Sequence, residues 1–99
     1  EIRKCIKDEY RVIVILDSDH TKQNVLNELL IYSKFVTRGS YVIVEDTNIN
    51  GHPVLPRFGP GPMEAVEEFL KYNDNFIIDK SREKLYLTFN PNGYLKKIK

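Results

Sequence analysis

Val12-Ile13-Val14-Ile15-Leu16-Asp17-Ser18-Asp19-His20 and Tyr41-Val42-Ile43-Val44-Glu45-Asp46-Thr47 are the stretches that decide the fold. Each is a short, β-branched apolar run that breaks into an acidic cluster. Runs that are apolar on both faces suit strands buried in a parallel sheet. One helix-length segment separates them, which makes a β-α-β unit. Such a unit brings both strand ends to the same edge of a sheet, where α/β folds place their ligands. Two carboxylate clusters meet there, as a hard-oxygen metal site or at least an acidic pocket.

The remaining elements follow outward from this unit. The first strand is expected over about Arg11 to Leu16. The helix is expected over about Thr21 to Lys34, with Val25, Leu26, Leu29, Leu30 and Phe35 at helical spacing. Asp19 or Thr21 can cap it. Asn48 to Pro62 holds most of the chain's glycines and prolines and reads as a long loop, of the kind that forms lids and binding walls. Pro62 suits the first turn of a second helix, about Met63 to Tyr72, with Glu64 near its N-terminus and Ala65, Val66, Phe69 and Leu70 on its buried face. Phe76-Ile77-Ile78 and Leu85-Tyr86-Leu87-Thr88-Phe89 read as an antiparallel hairpin. Asn90-Pro91-Asn92-Gly93 then turns the chain into a tail. The order is β-α-β-α-β-β, an α/β arrangement of two parallel strands and a terminal hairpin. It reads as the second half of a Rossmann-like sheet as methyltransferases build it, in which the last strand inserts antiparallel. No glycine-rich turn follows a strand near the start, so the usual nucleotide-binding fingerprint is missing.

Ninety-nine residues make one domain, and the chain opens at Glu1 rather than methionine, which we read as an excised or processed C-terminal piece. A formal charge of +1 argues against non-specific nucleic-acid binding. The lysines of Leu95-Lys96-Lys97-Ile98-Lys99 read as a solvated end. The single cysteine, Cys5, excludes an internal disulfide and fits a reducing, cytoplasmic setting. Arg3, Lys4 and Lys7 surround it, but no base stands beside it, so an inert thiol is expected. No segment is long and apolar enough to span a membrane, and no signal peptide is expected. Residues 1–9 are charged and read as the end of a preceding helix or a linker. The first strand would have a bare edge, which favours pairing with another part of a longer protein or with a second copy in a homo-oligomer.

Leu16-Asp17-Ser18-Asp19-His20, Glu45-Asp46-Thr47-Asn48, Gly61-Pro62-Met63-Glu64-Ala65-Val66 and Thr88-Phe89-Asn90-Pro91-Asn92-Gly93-Tyr94-Leu95 together resemble the cephalosporin hydroxylase and rhamnosyl O-methyltransferase family. The resemblance covers essentially the whole chain. It implies a class I methyltransferase fold, S-adenosylmethionine as cofactor, Mg²⁺ or a similar divalent cation held by carboxylates, and a small-molecule or sugar hydroxyl as acceptor. By the resemblance, Asp17 matches a metal-ligating aspartate after the fourth strand of the fold, and Glu45 and Asp46 match the acidic pair after the fifth. His20 stands where related methyltransferases carry a base. The family name spans two activities and does not fix the acceptor. The cofactor-binding first half of the fold is not in these residues, so they alone are not expected to hold S-adenosylmethionine.

Each residue also has a plainer reading. Asp17, Glu45 and Asp46 fit helix capping, turn formation and solvated polarity. Asp19 is better placed to cap the helix than to bind a metal. His20 is a general base for a hydroxyl proton or a loop histidine. His52 reads as a loop residue, and Arg57 or Phe58 as possible contacts to substrate or cofactor. Tyr32 and Tyr41 read as core or core-edge residues, and Tyr86 as a strand residue. The enzyme reading stands against a catalytically silent α/β domain that acts by self-association. A metal-dependent hydroxylase is disfavoured, because redox iron sites want two histidines and a carboxylate, and His20 with His52 match that poorly.

Overall fold

In the computed structural model, which describes residues 2–83 and 88–99, the two apolar runs lie side by side. β1 (Val14–Leu16) pairs in parallel with β2 (Tyr41–Val44), in the register Val14–Val42, Ile15–Ile43 and Leu16–Val44. Strand pairing begins at Val14, but Val12 is still tethered: its N–H donates to Thr37 Oγ1, and Thr37 N–H donates back to its carbonyl. A short helix, α1 (Ile2–Cys5), precedes this strand, and Cys5 is exposed.

α2 (Lys22–Tyr32) joins the parallel strands and passes into a 3₁₀ turn at Ser33–Phe35. Thr21 is its N-cap, accepting from Asn24 N–H, while Asp19 Oδ1 accepts from Thr21 N–H one step earlier. Val25 and Leu29 are buried as their spacing predicts, whereas Leu30 faces outward. α3 (Pro62–Tyr72) starts on Pro62 and buries Ala65, Val66 and Phe69. The two helices pack together on one face of the sheet, joined at the surface by Lys22 and Glu68 at 2.8 Å.

The last part of the chain departs from expectation. β3 (Phe76–Ile78) is where the sequence places it, and its antiparallel partner is β4 (Tyr94–Lys97). The expected partner strand, Leu85 to Phe89, falls largely outside the described residues, and Thr88 and Phe89 are not strand. The segment read as a solvated tail is instead an inner strand. β4 also pairs antiparallel with β2, so the sheet order is β1-β2-β4-β3. Leu95 is fully buried in it. An inner strand can carry lysines because a lysine's apolar stem can cover apolar surface while its ammonium group stays in water. Lys97 Nζ sits 5.9 Å from the centre of the Phe76 ring.

The core is the layer between sheet and helices: Leu16, Val42, Val44, Phe76 and Leu95 against Val25, Leu29, Ala65, Val66 and Phe69. The opposite face of the sheet carries Ile15, Ile43, Tyr94 and Ile77, and among the described residues the helices cover only the first face. Ile13, Ile15 and Ile77 are 53%, 58% and 47% exposed. β1 forms one margin of the sheet, as expected for a bare edge.

Candidate metal and acceptor site

Parallel pairing puts Asp17 and Glu45 just past the same edge of the sheet, and Glu45 N–H donates to Leu16 O at 3.0 Å. The turn carrying Asp17 to His20 is fastened from α2. The Asn24 side-chain amide donates to Asp19 O at 3.0 Å and to Ser18 Oγ at 3.2 Å, and Ser18 Oγ donates to Glu28. His20 thereby turns back across the strand ends. Its Nε2 lies 3.0 Å from Asp46 Oδ2 and 3.9 Å from Asp17 Oδ1.

Asp17, His20 and Asp46 form a cluster in which one ligand atom from each lies within 4.8 Å of the others. That spread is within reach of one divalent ion, whose oxygen ligands sit about 2.0–2.6 Å away. Two carboxylates and one imidazole are a donor set suited to a hard or borderline cation. The side chains are 55%, 29% and 38% exposed, so the cluster opens to solvent. Glu45 stands beside the cluster, outside that set. Desolvation and the adjacent Asp17 carboxylate, with a further push from Asp46, raise its carboxyl above its ordinary value against the pull of His20. Acidic groups crowded in this way repel until a proton or a cation relieves them.

Glu45 and Asp46 also line a cavity of about 590 Å³. Its other walls are Asn48, Pro53 and Val54 of the long loop, and Thr88, Phe89, Asn90 and Tyr94 from the approach to β4. His52 does more than occupy that loop. Its Nε2 lies 2.6 Å from Glu64 Oε2, and Glu64 Oε1 accepts from Gly61 N–H at 2.7 Å. Desolvation raises the Glu64 carboxyl, but hydrogen bonds from Gly61 and His52 outweigh it and hold the group below its ordinary value. The wall bearing Pro53 and Val54 is thus tied to the start of α3. Arg57 and Phe58 line a separate hollow with Leu55 and Pro56, which no residue of the acidic cluster enters.

Sequence reasoning located the acids and His20 and missed Asn90, whose side chain holds the backbone of Asp46 (Asp46 N–H to Oδ1, 2.8 Å). The signal was an asparagine-rich turn, read only as a turn.

A mixed four-stranded α/β sheet with carboxylates gathered at parallel strand ends is compatible with a fragment of a methyltransferase. The chain belongs to the rhamnosyl O-methyltransferase/CmcI family, whose profile matches residues 1–98. It is 46% identical over 99 residues to a rhamnosyl O-methyltransferase of Mycobacterium leprae (strain TN), covering 96% of this chain and 43% of that protein. Rhamnosyl O-methyltransferases of Mycobacterium bovis (strain BCG / Pasteur 1173P2) and Mycobacterium tuberculosis (strain ATCC 25618 / H37Rv) are also 46% identical, over 94 residues. Those alignments cover 91% of this chain and 38% of each relative. The chain therefore spans about two fifths of the length of the curated relatives it matches. No solved structure matches it.

Proposed function

We propose that this chain supplies the acceptor-activating side of an S-adenosylmethionine-dependent O-methyltransferase that acts on a sugar or other small-molecule hydroxyl. The reading rests on family membership together with one observation: Asp17, His20 and Asp46 converge at the strand ends, beside a cavity with both acidic and aromatic walls. The order β1-β2-β4-β3, with β4 antiparallel between two mutually parallel strands, supports its assignment to the C-terminal half of a Rossmann-like methyltransferase sheet.

Asp17 and Asp46, with Glu45 beside them, would hold Mg²⁺ or a similar cation. When bound, such an ion acidifies a nearby hydroxyl by Lewis-acid polarisation. The residues of this chain do the rest of the acceptor work. Phe89, Tyr94, Pro53 and Val54 offer apolar walls for the faces of a sugar ring, while Asn48 offers hydrogen bonds. His20 takes the hydroxyl proton. Asp46 Oδ2, 3.0 Å from His20 Nε2, is placed to stabilise the imidazolium that results. S-adenosylmethionine is the methyl source that the family implies. No glycine-rich turn follows the first strand to cradle it, and none of these residues is assigned to it.

Titration of the complete protein with Mn²⁺, followed by calorimetry, tests the reading. Asp46→Ala is expected to weaken binding strongly, and equal binding by both proteins refutes the metal site.

A further inference from the structure

Asp46 stands in the left-handed region at φ 57°, a conformation uncommon for residues with a side chain, although aspartate reaches it more readily than most. Four contacts from one segment hold this turn. Asp46 N–H donates to Asn90 Oδ1 at 2.8 Å, and Asn48 N–H donates to Phe89 O at 3.2 Å. Thr47 Oγ1 donates to Pro91 O, and Val44 N–H donates to Gly93 O at 2.8 Å. The last approach is so close that a Cβ on Gly93 would lie 2.2 Å from Val44 O. Asn90 is itself braced. Its N–H donates to Thr88 Oγ1 at 3.0 Å, and its side-chain amide donates to Tyr94 OH at 3.3 Å. Among these contacts, only the Asn90 bond is accepted by a side chain and donated by the residue that faces His20.

We propose that Asn90 is the positioning residue for the Asp46 carboxylate. By accepting from the Asp46 amide it fixes the left-handed turn and aims the carboxylate at His20 and Asp17. The role in metal binding rests on the function proposed above. The role in holding Asp46 does not.

Asn90→Leu keeps the approximate size of the side chain and removes the acceptor. Asn90→Asp keeps the acceptor. Tyr94→Phe removes only the brace. In the complete protein, amide hydrogen exchange at Asp46, read by NMR, is expected to be slow in the native protein and in Asn90→Asp, and fast in Asn90→Leu. Mn²⁺ affinity is expected to fall about 10- to 100-fold in Asn90→Leu, as for other residues that orient a ligand. Asn90→Asp and Tyr94→Phe are expected to retain it. Fast exchange in the native protein, or unchanged exchange and affinity in Asn90→Leu, overturns the proposal. Loss of affinity in Asn90→Asp despite a protected Asp46 amide also overturns it. If the native protein binds no Mn²⁺, the metal reading fails, and the exchange measurement still decides whether Asn90 holds Asp46.

Discussion

Asp79 shows at the scale of one residue how a surface carboxylate becomes part of the fold. It accepts from the Ser81 hydroxyl and, at 2.6 Å, from Tyr41 OH on β2, while Arg82 Nε donates to the same phenol at 3.0 Å. These hydrogen bonds, Ser81 first and Tyr41 next, hold the Asp79 carboxyl at about 2, below its ordinary 3.8. A depressed carboxyl contributes its stabilisation fully above the unfolded value and loses it as pH falls through the folded one. The contribution of Asp79 is thus present above about pH 4 and disappears toward pH 2. Tyr41→Phe removes one of the two leading donors. The expected outcome is an Asp79 midpoint shifted upward, read from its side-chain carboxyl carbon by NMR titration, and acid unfolding that begins at a higher pH. An unchanged midpoint would show that Ser81 alone sets it.

At the scale of elements, the test lies in the strand that was not expected. Leu95 is fully buried where β4 lies between β2 and β3. Leu95→Ala should cost about 2–5 kcal/mol, as emptying a filled core position does. Chemical denaturation reads this directly, and a loss no larger than that of a surface substitution would mean that β4 does not pack as described. The reason the sequence hid this strand is physical. Tyr94-Leu95-Lys96-Lys97 has one fully apolar aliphatic residue, and two lysines in succession read as solvated although their stems are able to cover apolar surface. β1 and β2 were legible because five- and four-residue apolar runs have no other economical place. α2 and α3 were legible because Val25 and Leu29, and Ala65, Val66 and Phe69, repeat at helical spacing. Legibility of the site follows the same division. Asp17, His20, Glu45 and Asp46 could be grouped because each follows a legible strand within a few residues. The part played by Asn90 could not be read, because it depends on β4 lying beside β2. The tie between His52 and Glu64 depends likewise on how a long loop folds back, which local pattern does not encode.

At the scale of the whole molecule, the sheet is covered by helices on one face and open along the β1 edge, with Ile13 and Ile15 more than half exposed. Unpaired backbone groups beside an exposed apolar face favour pairing with another chain. We propose that the 99-residue polypeptide, expressed alone, self-associates. Light scattering is expected to give a mass above 11.6 kDa, and a stable monomer at high concentration would refute this. The position of β4 has a further consequence, for the order of assembly. β3 meets the rest of the sheet only through β4, and β4 is made after it. While the chain is being synthesised, β1, β2 and the two helices can gather first. β3 must wait for residues 94–97 to emerge, and so must the hydrogen bonds that Asn90 to Gly93 bring to the acidic turn. The arrangement of Asp17, His20 and Asp46 is therefore among the last features of these residues to form, and a nascent chain that stops short of Tyr94 carries its acids without the frame that aims them.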